Sequence, residues 1–238
     1  MLNTILFDLD GTLLPMNYDC FAKTYFTGLE KATVGLMAPG KLSKAIMQAV
    51  ENLAHDSSSD TNEIKFYRAF EAITGLNREK FDKYANVYYE KNFDECEADC
   101  KRSTVLLDAL KVVKDKGYTV ALATNPLFPK IAVLKRMEWA GLKLSDFEHI
   151  SSFEDDSFCK PQKEYFLDIL KKLNKEPSEC LMVGNDMQED AVAATAGIDT
   201  YIITDYIIDR KNTAHTPKYM SNSGGFFDFA AALPTLLG

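Results

Sequence analysis

Four short apolar runs, ILF (5–7), YTVALAT (118–124), CLMVG (180–184) and TYIIT (200–204), constrain this chain more than any other feature. They lack the polar alternation of a half-exposed strand, so each suits a strand buried on both faces. After residue 100 they alternate with helical stretches. FPKIAVLKRMEWA (128–140) is stopped by Gly141, a second helix over 161–173 is opened by Pro161 at a first-turn position, and MQEDAVAATAG is an amphipathic helix stopped by Gly197. HISS (149–152) reads as one more short strand. Such alternation implies right-handed crossovers and a parallel sheet covered on both faces. The expected fold class is α/β, with a Rossmann-like parallel sheet as its core.

Residues 16–98 break the alternation. Four helical stretches, near 17–37, 40–55, 62–74 and 78–91, are punctuated by Pro39-Gly40, by DSSSD (56–60) and by Gly75. FYRAFEAI and FDKYANVYY place aromatic residues at helical spacing, the pattern of a helical-bundle core rather than a ligand box. The expected organisation is an α/β core of residues 1–15 and 99–238, interrupted after its first strand by an all-helical domain of residues 16–98.

Charge narrows the partners. A formal net charge of −8 argues against nucleic acid or an anionic membrane as the main partner, and no apolar stretch approaches the roughly 20 residues of a membrane span. The N-terminus, MLNTILFDLDGT, lacks a basic segment and a cleavage site, and five scattered cysteines suit reduced thiols, so a cytoplasmic location is expected. Cys96 and Cys100 can share a helical face, but with no second pair nearby they read as packing rather than a zinc site. Nothing in the sequence sets an oligomeric state.

Chemistry concentrates where the apolar runs end. ILFDLDGT closes the first run on Asp8 and Asp10, carboxylates at the edge of a core, where charge is costly unless compensated. A calcium loop is a poor alternative, because the preceding residues form a β-run and position twelve is Asp19 rather than Glu. Gly11 permits a sharp turn, and Thr12 supplies a hydroxyl and a backbone donor. ALATNP puts Thr124 and Asn125 at another strand end, a cradle suited to phosphate oxygens, although such a sequence is commonly only a turn. Lys160 precedes Pro161 at a helix start, where an anion would suit it, an exposed lysine being the plain alternative. MVGNDMQED clusters Asn185, Asp186, Glu189 and Asp190 after a fourth strand, beyond what helix capping requires.

Taken in order, FDLDGTL, ATNP, Lys160-Pro161 and VGNDMQED resemble the four motifs of the haloacid dehalogenase-like (HAD) hydrolase superfamily over nearly the whole chain, and the helical block resembles its C1-type cap. The resemblance implies a Mg²⁺-dependent phosphatase acting on a small soluble phosphate monoester through an aspartyl-phosphate. Asp8 would be the nucleophile and Asp10 the general acid and base. Thr124 and Lys160 would hold the phosphate, aided by Gly11, Thr12 and Asn125. Mg²⁺ would be held by the Asp8 side chain, the Asp10 backbone carbonyl and an acid of the fourth motif.

The fourth motif departs from the common pattern, because Asn185 separates Gly184 from Asp186. Asp186 is the favoured ligand, as a carboxylate binds Mg²⁺ better than an amide does; Asn185 and Asp190 are alternatives, and Asp190 can instead orient Lys160. Aspartate at position 10 speaks against dehalogenation. A phosphosugar mutase of the β-phosphoglucomutase type and a non-catalytic phosphate-binding regulatory protein remain as rival readings. Asn17 and Tyr18 are candidate substrate contacts, whereas EDD (154–156) and His215 read as solvated loop residues.

Overall fold

The computed structural model describes residues 1–212 and 222–238. Six parallel strands form one sheet: β1 (Thr4–Phe7), β2 (Thr119–Leu122), β3 (His149–Ile150), β4 (Cys180–Gly184), β5 (Asp199–Ile203) and β6 (Asn222–Gly224). Their order is β3-β2-β1-β4-β5-β6, which puts β1 at the centre, where the order reverses. At such a reversal the connections leave on opposite sides and a crevice opens beyond the strand ends. The register sets Phe7 level with Leu122 of β2 and Val183 of β4. The residues that follow those three therefore emerge together.

Alternate side chains leave opposite faces, as the pleat requires. Ile5, Phe7, Leu181 and Val183 join the larger core, with Phe229 of α8 (Phe226–Leu236). Leu6, Ala121 and Met182 face the other way, against Tyr165, Phe166 and Ile169 of α7 (Lys163–Leu173). Both faces are covered, which explains why the strands carry no polar alternation.

Between β1 and α5 (Thr104–Asp115) the chain is helical: α1 (Tyr18–Ala32), α2 (Lys41–His55), α3 (Asn62–Thr74), α4 (Arg78–Lys91) and a 3₁₀ segment (Phe93–Asp99). Asn17, Thr61 and Asn77 cap three of these helices, accepting from the backbone N–H groups of Cys20, Ile64 and Lys80. Phe21, Tyr25 and Leu29 recur every fourth residue on the buried face of α1. The two connections between this block and the sheet run side by side. Asn17 N–H donates to Asp99 O at 3.0 Å, and Lys101 N–H donates to Pro15 O at 2.7 Å.

Several boundaries differ from the sequence reading. α1 stops at Ala32 rather than 37, where the Thr33 hydroxyl folds back onto Leu29 O at 2.7 Å. α7 starts at Lys163, so Pro161, in a cis peptide bond with Lys160, precedes the helix instead of opening it. MQEDAVAATAG contains only a 3₁₀ segment (Ala191–Ala196), still stopped by Gly197. α5 and β6 had no counterpart in that reading. Among the described residues no helix is long and apolar enough to cross a membrane.

Candidate active site

The Asp8 backbone N–H donates to Val183 O at 2.9 Å, extending the β1–β4 ladder by one residue before the chain turns. Gly11 adopts φ +83, and a Cβ there would lie 2.3 Å from Asn185 Nδ2, so both conformation and space demand glycine. Thr12 is fully buried and its hydroxyl donates to Asn185 Oδ1 at 3.0 Å. Thr12 thus joins the β1 and β4 loops, its hydroxyl engaged within the protein. Asn185 also donates to Tyr206 O at 2.7 Å, so its amide is engaged within the protein on both sides.

Lys160 reaches across the sheet edge to two carboxylates. Its Nζ lies 2.8 Å from Asp8 Oδ1 and 2.5 Å from Asp190 Oδ1, and all three side chains are buried. The exposed-lysine alternative is overturned for this position. Burial works against the ammonium charge, but Asp190 and Asp8 outweigh it and hold Lys160 well above the ordinary lysine value. Asp8 is pushed well above the usual carboxylate range by burial, which the Lys160 charge opposes and Asp190 and Asp10 reinforce. The other oxygen of Asp190 accepts the backbone N–H groups of Asn185 and Asp186, each at 2.9 Å. Asp190 therefore orients Lys160 and shapes the β4 loop.

Thr124 and Asn125 follow β2. Thr124 is buried on the cleft wall, and its carbonyl accepts the Tyr165 hydroxyl at 2.8 Å. Asn125 accepts from Lys160 N–H at 3.2 Å and donates to Glu189 Oε2 at 2.8 Å, tying three loops together. Burial, with Asp186 adding to it, pushes Glu189 up to about 7. Asp186 Oδ1 accepts from the N–H groups of Gln188 and Glu189, at 2.8 and 3.1 Å. These bonds, with those of Asp190, replace the first helical turn expected after β4.

Two arginines complete the site. Arg136 of α6 (Lys130–Ala140) is fully buried and pairs with Asp10 Oδ2. Arg210 Nη2 pairs with Asp186 Oδ2 at 2.7 Å. Asp186 nonetheless stays above its ordinary value, because burial and Asp190 outweigh Arg210. Arg210 lies in a polar loop and gave no periodic signal. Arg136 was also missed, although its place on one buried helical face with Ala132, Val133, Met137 and Ala140 is a signal that could have found it.

The cleft, of about 600 Å³, is lined by Asp8, Asp10, Thr124, Asn125, Asn185, Asp186, Glu189, Asp190 and Arg210, among others. Asp10 Oδ1 is buried without a hydrogen-bond partner. Five carboxylates thus face three cations, with one carboxylate oxygen unmet, a donor set of hard oxygens that fits a divalent cation such as Mg²⁺. No group of three or more His, Cys, Asp or Glu side chains stands in ligating array among the described residues. The implied set needs only two side-chain carboxylates and a backbone carbonyl.

The remaining expectations resolve separately. Tyr18 lines it, whereas Asn17 caps α1. EDD is not a solvated loop throughout: Asp156 is buried and pairs with Lys172 at 2.6 Å. Cys96 is buried and Cys100 partly so, and both are free thiols. His215 lies outside the described residues.

The sequence profile of haloacid dehalogenase-like hydrolases matches residues 2–197. The pyrophosphatase PpaX of Bacillus pumilus is 26% identical over 199 residues, covering 84% of this chain and 82% of its own length. Among solved structures, a HAD phosphatase from Thermococcus onnurineus superposes with a TM-score of 0.58 at 20% identity, covering 100% of this chain and 98% of that one. The magnesium-bound HAD hydrolase YfnB of Bacillus subtilis does so at 0.58 and 18%, covering 98% of each chain.

Proposed function

The chain belongs to the haloacid dehalogenase-like hydrolase family, and from that premise we propose that it is a Mg²⁺-dependent phosphatase of small phosphate monoesters. One observation carries the reading. Asp8 is a buried carboxylate at the central strand's end, and the lysine that pairs with it, Lys160, is shared with Asp190. A nucleophile is positioned this way when it must face an anionic phosphate.

Asp8 attacks phosphorus, the phosphorus–oxygen bond to the leaving group breaks, and an aspartyl-phosphate forms. Asp10 gives its proton to the departing oxygen, then takes one from the water that releases phosphate and restores Asp8. Thr124 and Lys160 hold the phosphoryl oxygens. Asp8, Asp186 and the Asp10 carbonyl would hold Mg²⁺, which offsets the repulsion between carboxylates and phosphate. Asn185 is a poorer candidate because Thr12 and Tyr206 already engage its amide.

Residues 16–98 act as a cap that closes over the leaving group. The paired crossing points at 15–17 and 99–101 support that division, as does the position of Tyr18 and Phe21 on the cleft wall. Phosphate release from p-nitrophenyl phosphate, with Mg²⁺ and with EDTA, tests the reading. Metal-dependent turnover abolished in Asp8→Asn supports it. A rate unchanged in Asp8→Asn refutes the aspartyl-phosphate.

A further inference from the structure

A second, partly open pocket adjoins the catalytic cleft. Tyr18, Phe21, Leu127 and Phe128 line both spaces. Beyond them the pocket is walled by Ala22, Tyr25, Phe26, Ile46, Met47 and Val50. No charged side chain lines it. Its aromatic wall is continuous, with Tyr25 5.2 Å from Phe128 and 4.9 Å from Phe26, centroid to centroid. The Tyr25 hydroxyl is bound to that of Tyr89 at 2.8 Å, which satisfies its polar end within the protein.

On the phosphatase reading above, we propose that this pocket receives the leaving group, and that the preferred substrate is a phosphate monoester of an uncharged apolar or aromatic alcohol. The phosphoryl group is fixed over Asp8, so the ester oxygen points toward the cap, and α1 and α2 supply the walls it meets. Burying ring or alkyl carbon there removes apolar area from water. A carboxylate or a second phosphate would instead lose hydration with no cation to replace it. The three cations of the cleft each already carry a carboxylate partner: Lys160 with Asp8 and Asp190, Arg136 with Asp10, and Arg210 with Asp186.

The test compares kcat/KM for benzyl phosphate, glycerol 3-phosphate and inorganic pyrophosphate in the presence of Mg²⁺. Benzyl phosphate is expected to exceed each of the others by roughly tenfold or more, the range that burial of a few methylene-sized groups yields. Benzylphosphonate, which cannot be hydrolysed, is expected to bind correspondingly tighter than methylphosphonate in calorimetry. Met47 sits on the pocket's rim and is 53% exposed, so Met47→Glu tests the wall without disturbing a core position. It should lower the benzyl-to-glycerol ratio. Equal kcat/KM for the three compounds, or preference for pyrophosphate, overturns this inference and leaves the phosphatase standing. Absence of metal-dependent turnover with every compound, with equal binding of both phosphonates, overturns both.

Discussion

Arg136, wholly buried on α6, donates from Nη1 to Asp10 Oδ2 and fixes the carboxyl group two residues beyond Asp8. The guanidinium is itself held, with Nε donating to Ala132 O at 3.1 Å and Cζ 4.5 Å from the Phe128 ring centroid. Asp10 therefore has a fixed guanidinium beside it. Replacing Arg136 by Met takes the cation from Asp10, a partly exposed carboxylate with one buried, unpartnered oxygen, and should cost about 1–3 kcal/mol in denaturant unfolding. The folded variant should also lose kcat more than it gains KM, because Asp10 is no longer held in place. Arg136→Lys should fall between, keeping the charge but not the guanidinium. A stability loss with unchanged kcat would confine Arg136 to a structural role.

Gly184 makes a second prediction through Asp190. A Cβ at Gly184 would stand 2.2 Å from both Cγ and Oδ2 of Asp190. That carboxylate binds Lys160 and two backbone N–H groups, so Gly184→Ala must displace it and, with it, the lysine that meets Asp8. Displacements of about 1 Å at such a site can cost on the order of 10²-fold in rate. The expected outcome is a kcat loss of that order with p-nitrophenyl phosphate and a far-ultraviolet spectrum like the parent's. A wild-type kcat would refute the link between Asp190 and Lys160.

The parallel sheet was legible because β1, β2 and β4 are covered on both faces, and the threonines of β1 and β2, Thr4 and Thr119, stand only at the strand starts, where they create no alternation. Asp8, Thr124 and Asp186 were legible for the same reason, since a polar residue just past such a strand lies at the sheet's edge. β6, reading Asn-Ser-Gly, has no apolar residue, and only its pairing with β5 makes it a strand. The segment after β4 has a helical pattern, but side-chain bonds from Asp186 and Asp190 to nearby N–H groups override it. The tie that Thr12 makes was not legible, because a hydroxyl beside two aspartates reads as a phosphate contact. Its partner, Asn185, comes from 173 residues away in the chain.

The start of α3 should govern how the helical block sits on the core. Asn62 Nδ2 donates to Phe158 O at 3.0 Å and to Pro126 O at 3.3 Å, close to the Thr124 loop. Lys65, also buried, donates to Ser157 O at 2.5 Å and Asp56 O at 2.9 Å. Hydrogen bonds of this kind contribute about 0.5–1.5 kcal/mol each. Asn62→Ala should therefore speed amide exchange at 61–65 and 153–159 and raise KM, while the strands keep their protection. Uniform loss of protection throughout the sheet would show that Asn62 stabilises the whole fold rather than this contact.

The crowded carboxylates predict an unusual stability profile for the metal-free protein. Burial raises Asp8, Asp186 and Glu189, the last from 4.5 to about 7. A raised carboxyl pKa means that the folded state holds protons which the unfolded chain has already released. Stability from Glu189 is complete below its unfolded value, about 4.5, and is lost as pH rises through about 7, and Asp8 and Asp186 act in the same direction. Thermal melts in EDTA should show this decline, and Glu189→Gln should flatten it between about pH 4.5 and 7. Mg²⁺ requires ionised ligands, so its stabilising effect should be larger at about pH 7.5 than at about pH 5. If added Mg²⁺ shifts Tm equally at both, or if Glu189→Gln leaves the EDTA profile unchanged, the carboxylates are not crowded in the manner described.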